Sequence, residues 1–508
     1  MATSVPGGPT PDAARLKVFL DWTTPDHRQP IPTCLNLINT KDMHPEIDRL
    51  TAAALVRAYR RHELSPVEVT RVVLHRIEGL NPTYNAFCVV DADAALRSAV
   101  QSEARWLKNE PLSFIDGIPT TIKDLLLTKG WPTLRGSRAV DASQSWDEDA
   151  PATQRLREAG AVLLGKTTTP EFGWKGVCDS PLTGVTRNPW NPKMTPGGSS
   201  GGAAVAAAFR LGFLHLGTDG GGSIRIPAAF SGVFGFKPTF GLVPAYPLSP
   251  FGTIAHLGPM TVSVEDAAHM LTIMSRPDPR DWYALPYTPR DFAVGLEQGV
   301  GGLKIAFSPT LGYASVNDEV AALAKAAVSR FVDIGALVEL EDPGFVDPSE
   351  TFRDHWYTGA ANLRRNITAD RRKLLEPGFA AIADLGEQIP HMQYIAATDA
   401  RAAMGHRMNQ FHEKFDLLLT PMIPITAFEV GQIAPVGTDQ SNWMNWTPFT
   451  FPFNLTQQPA ASIPCGFTSS GLPVALQIVA AKYRDDLVLR AARAYEVLDP
   501  IKTPNLPT

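Results

Sequence analysis

Between residues 197 and 223 two glycine-rich loops flank a run of alanines: Gly197-Gly198-Ser199-Ser200-Gly201-Gly202, then Ala203 to Phe209, then Asp219-Gly220-Gly221-Gly222-Ser223. The alanine stretch is helix-forming, and its side chains are small enough to pack tightly in a buried layer. The glycines allow positive φ and let backbone N–H groups approach a reacting atom closely. Each loop also carries a serine, Ser199 and Ser223, 24 positions apart, whose hydroxyl a base can turn into a nucleophile. A chain with this text needs a large layered body, and 508 residues supply one.

The flanking sequence has the grammar of an α/β protein. Ser65-Pro66-Val67-Glu68 is a capping-box pattern with proline at the first helical position, and Val69, Val72, Val73, Ile77 and Leu80 follow on one face. Thr153 to Glu158 reads as a helix leading through Gly160 to a strand at Ala161 to Leu164. Leu303 to Phe307, Asp318 to Val332 and Leu337 to Leu340 read as strand, amphipathic helix and strand, a βαβ unit with parallel strands. Leu472 to Val479 and Asp485 to Glu496 repeat strand then helix. Residues 1–42, rich in proline and turn formers, read as an N-terminal extension. No polar linker interrupts the rest of the chain, so residues 43–508 are expected to form one large α/β domain.

Composition narrows the function classes. A net charge of −5 gives no basic footprint for nucleic acid, so no nucleic-acid partner is expected. No apolar run reaches the roughly 18 residues of a membrane span, and the start lacks a basic region followed by an apolar one. Cys34, Cys88, Cys178 and Cys465 lie far apart with no CxxC pair, which suggests neither a zinc site nor a disulfide framework. A soluble protein in a reducing, cytoplasmic setting fits.

Local text leaves open which serine attacks. Gly197-Gly198-Ser199-Ser200-Gly201 matches the G-x-S-x-G nucleophile elbow, which follows a strand and needs a late histidine. Here residues 188–196 hold three prolines, and the last histidine is His412. A phosphate-cradling loop is disfavoured because neither loop continues as G-K-[ST]. Ser223-Ile224-Arg225-Ile226 is not the S-x-x-K of penicillin-binding enzymes. A lysine base from elsewhere remains possible: Gly117 to Lys123 is a short apolar, strand-like run ending in an ammonium, and burial there would favour the neutral amine.

At this point the chain resembles the amidase signature family, over about residues 45–500. The resemblance rests on ordered motifs: Gly117-Ile118-Pro119 with Lys123-Asp124, Gly165-Lys166-Thr167 with Pro170-Glu171-Phe172-Gly173, Asn188-Pro189-Trp190-Asn191-Pro192, and Pro196 to Gly202. Gly217-Thr218-Asp219 with Gly221 to Pro227, Gly235 to Thr239, Gly258-Pro259-Met260 and Gly471-Leu472-Pro473 continue it. The resemblance implies a single large domain with a central mixed β-sheet covered on both faces by α-helices. It also implies a Ser-cisSer-Lys triad: Ser223 as nucleophile, Ser199 after a cis peptide bond as relay, Lys123 as base. The backbone N–H groups of Gly220, Gly221, Gly222 and Ser223 would form the oxyanion hole, with no metal or organic cofactor.

The substrate implied is a small amide, anilide or carbamate. An ester hydrolase with the same triad, a glutamine-hydrolysing subunit of an amidotransferase and a silent scaffold are the alternatives, and a homodimer is an admissible assembly. Ser200 is read as orienting its loop, Asp219 and Arg225 as an ion pair or backbone anchor near Ser223, and Lys166 as facing solvent after its strand. Trp443, Trp446 and Phe449, interleaved with prolines, read as a pocket wall or as core. Two departures from the family's pattern stand out: Gln457 where glycine is common, and Gly220 where a bulkier apolar residue is frequent. The second is expected to loosen the oxyanion loop.

Overall fold

A computed structural model describes residue 47 and residues 49–506. The expected extension over 1–42, with Cys34, lies outside them, and the compact unit His44–Thr508 holds all the described residues. The helix Pro66–Tyr84 begins at the expected capping box: Ser65 Oγ accepts from Glu68 N at 3.1 Å, and Glu68 Oε2 accepts from Ser65 N at 2.8 Å. Asn85, in the left-handed region, ends it and turns the chain into the sheet.

The sheet has eleven strands. In chain order they are β1 (Phe87–Val90), β2 (Pro119–Lys123), β3 (Val162–Thr167), β4 (Leu214–Asp219), β5 (Phe234–Lys237) and β6 (His256–Thr261). There follow β7 (Lys304–Phe307), β8 (Leu337–Leu340), β9 (Leu417–Pro421), β10 (Ala460–Phe467) and β11 (Pro473–Ala480). Across the sheet the order is β1-β3-β2-β4-β6-β5-β10-β11-β9-β7-β8. β2 lies parallel to β3 and β4, and β7 parallel to β8 and β9; the other pairs are antiparallel. The β7–helix–β8 unit, with its helix at Asp318–Asp333, is the parallel βαβ unit read from the sequence.

Every residue of β2, β3, β5, β6, β9 and β11 is buried, which requires cover on both faces of the sheet, and helices flank it accordingly. The alanine-rich helix Gly201–Ala208 is wholly buried. Its Ala203, Ala204, Ala207 and Ala208 pack with Ile224, Ala228, Val233, Met260 and Val262. A Cβ at Gly202 would stand 2.4 Å from the Ala86 carbonyl oxygen, so only glycine lets this helix start so close to the chain entering β1. Among the described residues no helix is long and apolar enough to cross a membrane.

Both serine loops hang from this layer: one precedes the alanine helix and the other follows β4. Because the helix has no room to grow, Ala204→Leu is expected to lower the urea midpoint by the equivalent of about 1–3 kcal/mol. Equilibrium unfolding of the variant against the parent chain checks this.

Candidate active site

Lys123 is the last residue of β2, where burial leaves its ammonium no water. Its Nζ lies 2.7 Å from Ser199 Oγ, 2.8 Å from Ser200 Oγ and 2.9 Å from Thr218 Oγ1, donating to three hydroxyls and to no carboxylate. Burial pulls its pKa down to about 7, against weaker opposing pulls from Cys178 and Asp219. The amine is therefore poised between its two protonation states near neutral pH.

Ser199 follows a cis peptide bond from Gly198. A Cβ on Gly198 would stand 2.4 Å from the Val177 carbonyl oxygen, and one on Gly173 would stand 3.1 Å from Ser199 Oγ, so glycines on both sides let the chain close around this hydroxyl. Ser200, the next residue, bonds to the Ser223 loop and to β4. Its N–H donates to the Ser223 carbonyl at 3.0 Å, tying the two loops together, and its Oγ donates to the Thr218 carbonyl at 3.1 Å. Ser199 and Ser223 line one cleft. Ser223 Oγ makes no hydrogen bond among the described residues, so the geometry joins Lys123 to Ser199 but not Ser199 to Ser223.

The Ser223 loop is held from behind by the Asp219–Arg225 pair, at 2.9 Å and fully buried. Asp219 also accepts from Gly222 N at 2.8 Å, Ile224 N at 3.1 Å and Asn454 Nδ2 at 2.9 Å. Burial alone would raise this carboxyl, but Arg225 beside it, with Lys237 and Asn454, holds it well below the usual range. Arg225 in turn donates through Nη1 to the Thr450 carbonyl at 3.0 Å and Gln477 Oε1 at 2.7 Å, and through Nη2 to Asn454 Oδ1 at 2.7 Å. Thr450 Oγ1 donates to the Gly221 carbonyl at 2.5 Å, turning that peptide. The N–H groups of Gly220, Gly221 and Ser223 make no hydrogen bond among the described residues.

Four expectations change. The Gly222 N–H, expected in the oxyanion hole, is taken by Asp219, because the Asp219 side chain folds back over the turn it begins. Gly220 does not leave the loop slack: a Cβ there would stand 2.9 Å from the Trp356 ring, so that indole fills the space a side chain would have used. Lys166 does not face solvent. It lies inside β3, which runs on to Thr167, and its Nζ donates to Asp124 Oδ1 at 3.1 Å, the Leu126 carbonyl at 2.8 Å and Thr133 Oγ1 at 2.6 Å. Trp443, Trp446 and Phe449 are buried in the apolar core and do not line the cleft; Trp443 stands behind the loop, 2.9 Å from where a Gly221 Cβ would be.

The cleft spans about 1150 Å³ with the open space at its mouth included, and its aromatic wall comes from Phe172, Phe240, Tyr246, Phe251 and Trp356. Phe251 and Trp356 stack at 3.8 Å. Sequence reasoning missed these residues, and it missed Thr218, Thr450, Asn454 and Gln477. Gln477 carried a signal, a lone amide within the apolar run Val474 to Val479. Gln457, at φ +63, occupies the left-handed region that glycine takes easily, and its side chain is held by the Thr253 carbonyl at 3.0 Å and Lys482 Nζ at 3.2 Å. Among the described residues no group of three or more His, Cys, Asp or Glu is placed to hold a metal ion.

Removing one member of the Asp219–Arg225 pair leaves a buried charge unpaired. Arg225→Met is expected to destabilise the chain by about 3–5 kcal/mol, and Asp219→Asn combined with it by less than the sum of the two single changes. A double-mutant cycle by chemical denaturation measures the coupling.

Comparison with known proteins places this geometry. The sequence profile of the family described as Amidase matches residues 68–489. The chain is 35% identical over 458 residues to an acylamidase of Rhodococcus erythropolis, covering 89% of this chain and 96% of that one. It is 34% identical over 485 residues to a glutamyl-tRNA(Gln) amidotransferase subunit of Myxococcus xanthus, covering 89% and 97%. Among solved structures, a bacterial aryl acylamidase of the amidase signature enzymes superposes with a TM-score of 0.83 at 30% identity, covering 89% of this chain and 97% of that one. A 6-aminohexanoate cyclic dimer hydrolase superposes with a TM-score of 0.82 at 30% identity, covering 90% and 99%. With that profile spanning most of its length, the chain belongs to the amidase signature family and is an amidohydrolase acting on C–N bonds.

Proposed function

We propose that the chain hydrolyses anilides and related hydrophobic amides through an acyl-enzyme on Ser223, with Ser199 as relay and Lys123 as base. The observation that carries the reading is the cleft itself, in which Ser199 and Ser223 open onto a wall of Phe172, Phe240, Tyr246, Phe251 and Trp356. An aryl group fits such a wall far better than the side chain of glutamine does. The likeness to the amidotransferase subunit supports the glutamine-hydrolysing alternative, and the apolar wall weighs against it. A carbamate offers the same carbonyl and a similar aryl or alkyl body, so urethane cleavage belongs to the same reading.

The chemistry follows from the order of groups. Neutral Lys123 takes the Ser199 proton, Ser199 takes the Ser223 proton, and Ser223 Oγ forms a bond to the substrate carbonyl carbon. The N–H groups of Gly220, Gly221 and Ser223 receive the oxyanion. The C–N bond then breaks as the proton held by Lys123 returns through Ser199 to the leaving nitrogen. Water, activated by the same relay, cleaves the acyl-enzyme and releases the acid. The Ser199–Ser223 link, unmade in the free protein, closes when substrate pins the nucleophile; catalytic hydrogen bonds commonly tighten in this way. The wide spacing of the cysteines in the sequence supports a reducing, cytoplasmic setting for the enzyme.

The deciding experiment is a panel of an anilide, an aryl carbamate, a primary amide, glutamine and an aryl ester, with Ser223→Ala as control. Turnover of the anilide, lost in the variant, is expected; preference for glutamine over the anilide would overturn the reading. Because an amine leaves poorly unless protonated, Lys123→Ala is expected to lower anilide turnover by about 10²- to 10⁴-fold and aryl-ester turnover by less. Equal losses would remove Lys123 as proton donor.

The pH profile is a separate check. The neutral amine is the active form, so kcat/KM for a neutral amide should rise with pH through about 7 and then level off. A rate measured from pH 5.5 to 9 that shows no such limb would count against Lys123 as the base.

A further inference from the structure

The cleft wall that meets the two serines is apolar and aromatic except at a few points, and Arg135 is its cation. The carboxylate that also lines it, Asp281, is spent on the wall, accepting from Ala245 N and Tyr283 N at 2.8 Å each. Arg135 differs. Among the described residues its guanidinium makes no hydrogen bond and no ion pair. The acid that acts on it, Asp124, gives Oδ1 to Lys166 at 3.1 Å and Oδ2 to Gly136 N at 3.3 Å. Two cations, Lys166 and Arg135, thus share one carboxylate that Lys166 holds.

The position of Arg135 is fixed by the backbone. Its carbonyl accepts from Phe172 N at 2.8 Å, and the next residue, Gly173, is the one whose Cβ would press on Ser199 Oγ. Arg135 and Phe172 both sit in the left-handed region, at φ +56 and +52, uncommon for residues with side chains. Such backbone persists where the surroundings over-determine it, and it clusters at ligand-binding sites. An arginine stays charged when partly removed from water, and its planar fork matches a carboxylate.

We propose that Arg135 determines specificity by binding a carboxylate carried by the amide substrate away from the scissile bond. The preferred substrate class becomes an amphipathic amide, with an aryl or alkyl body along the aromatic wall and an anionic end at Arg135. This deepens the anilide reading and rests on it.

The test uses two matched pairs: the 4-nitroanilides of hexanoic acid and of adipic acid, which place the carboxylate on the acyl side, and acetanilide with 4-acetamidobenzoate, which place it on the amine side. The expected result is a kcat/KM about tenfold or more higher for the carboxylated member of one pair, arising in KM, and a ratio near one in Arg135→Gln, with Arg135→Lys between. Equal handling of both members in both pairs, or an Arg135→Gln loss that leaves the ratio unchanged, overturns the proposal. Calorimetry on Ser223→Ala separates the two ideas. Tighter binding of the carboxylated member there, abolished by adding Arg135→Gln, upholds the Arg135 assignment even if no anilide is turned over, an outcome that would count against the anilide reading alone.

Discussion

The buried Asp219–Arg225 pair is the contact on which the site's geometry rests. The loop after β4 is rich in glycine, and left to itself such a loop would sample many shapes. Asp219 prevents this by capping the turn from behind, and Arg225 extends the constraint outward to Thr450, Asn454 and Gln477. Those partners come from a segment more than 200 residues later and from β11, so the Ser223 loop is fixed by the far half of the chain. Isolated, the pair would gain little over apolar packing; satisfied on every side, it specifies one loop conformation.

The buried lysines show how the same side chain is put to different uses. Lys123 and Lys166 stand on neighbouring strands of one sheet, both fully buried. Lys166 has a carboxylate at 3.1 Å, which offsets part of the cost of burying its charge. Lys123 has hydroxyls only, so burial acts on it with little to oppose it. Its proton is loosely held for want of a carboxylate beside it. Placing an acid beside Lys123 would stabilise the charge and raise its pKa again.

How much of this was legible in the sequence depends on how local the cause is. The helix Pro66–Tyr84 announces itself in Ser65 and Glu68, and the β7–helix–β8 unit in its periodicity, because both are decided within a few residues. Lys123, Ser199 and Ser223 could be singled out in the sequence because each sits in one of the ordered motifs. The cleft wall was not. Phe251 and Trp356 are 105 positions apart and meet only through packing, whereas Trp443, Trp446 and Phe449 cluster in sequence and go into the core. Lys166 was misjudged for a related reason: a lysine near the end of an apolar run looks solvent-bound until the strand is seen to continue with cover on both faces.

Gly220 joins these levels. Gly220 carries only a hydrogen, and the Trp356 indole occupies the space where a side chain would stand. Trp356 is clamped by a stack with Phe251 and by its own N–H on the Trp174 carbonyl at 3.1 Å. The ring therefore serves at once as support for the loop that carries Ser223 and as wall of the cleft. Cleft shape and the geometry of the Ser223 loop are consequently coupled in this protein. A smaller residue at 356 would enlarge the cleft and also withdraw the packing that holds the Gly220 peptide, so the cleft cannot be widened there independently of the loop that carries Ser223.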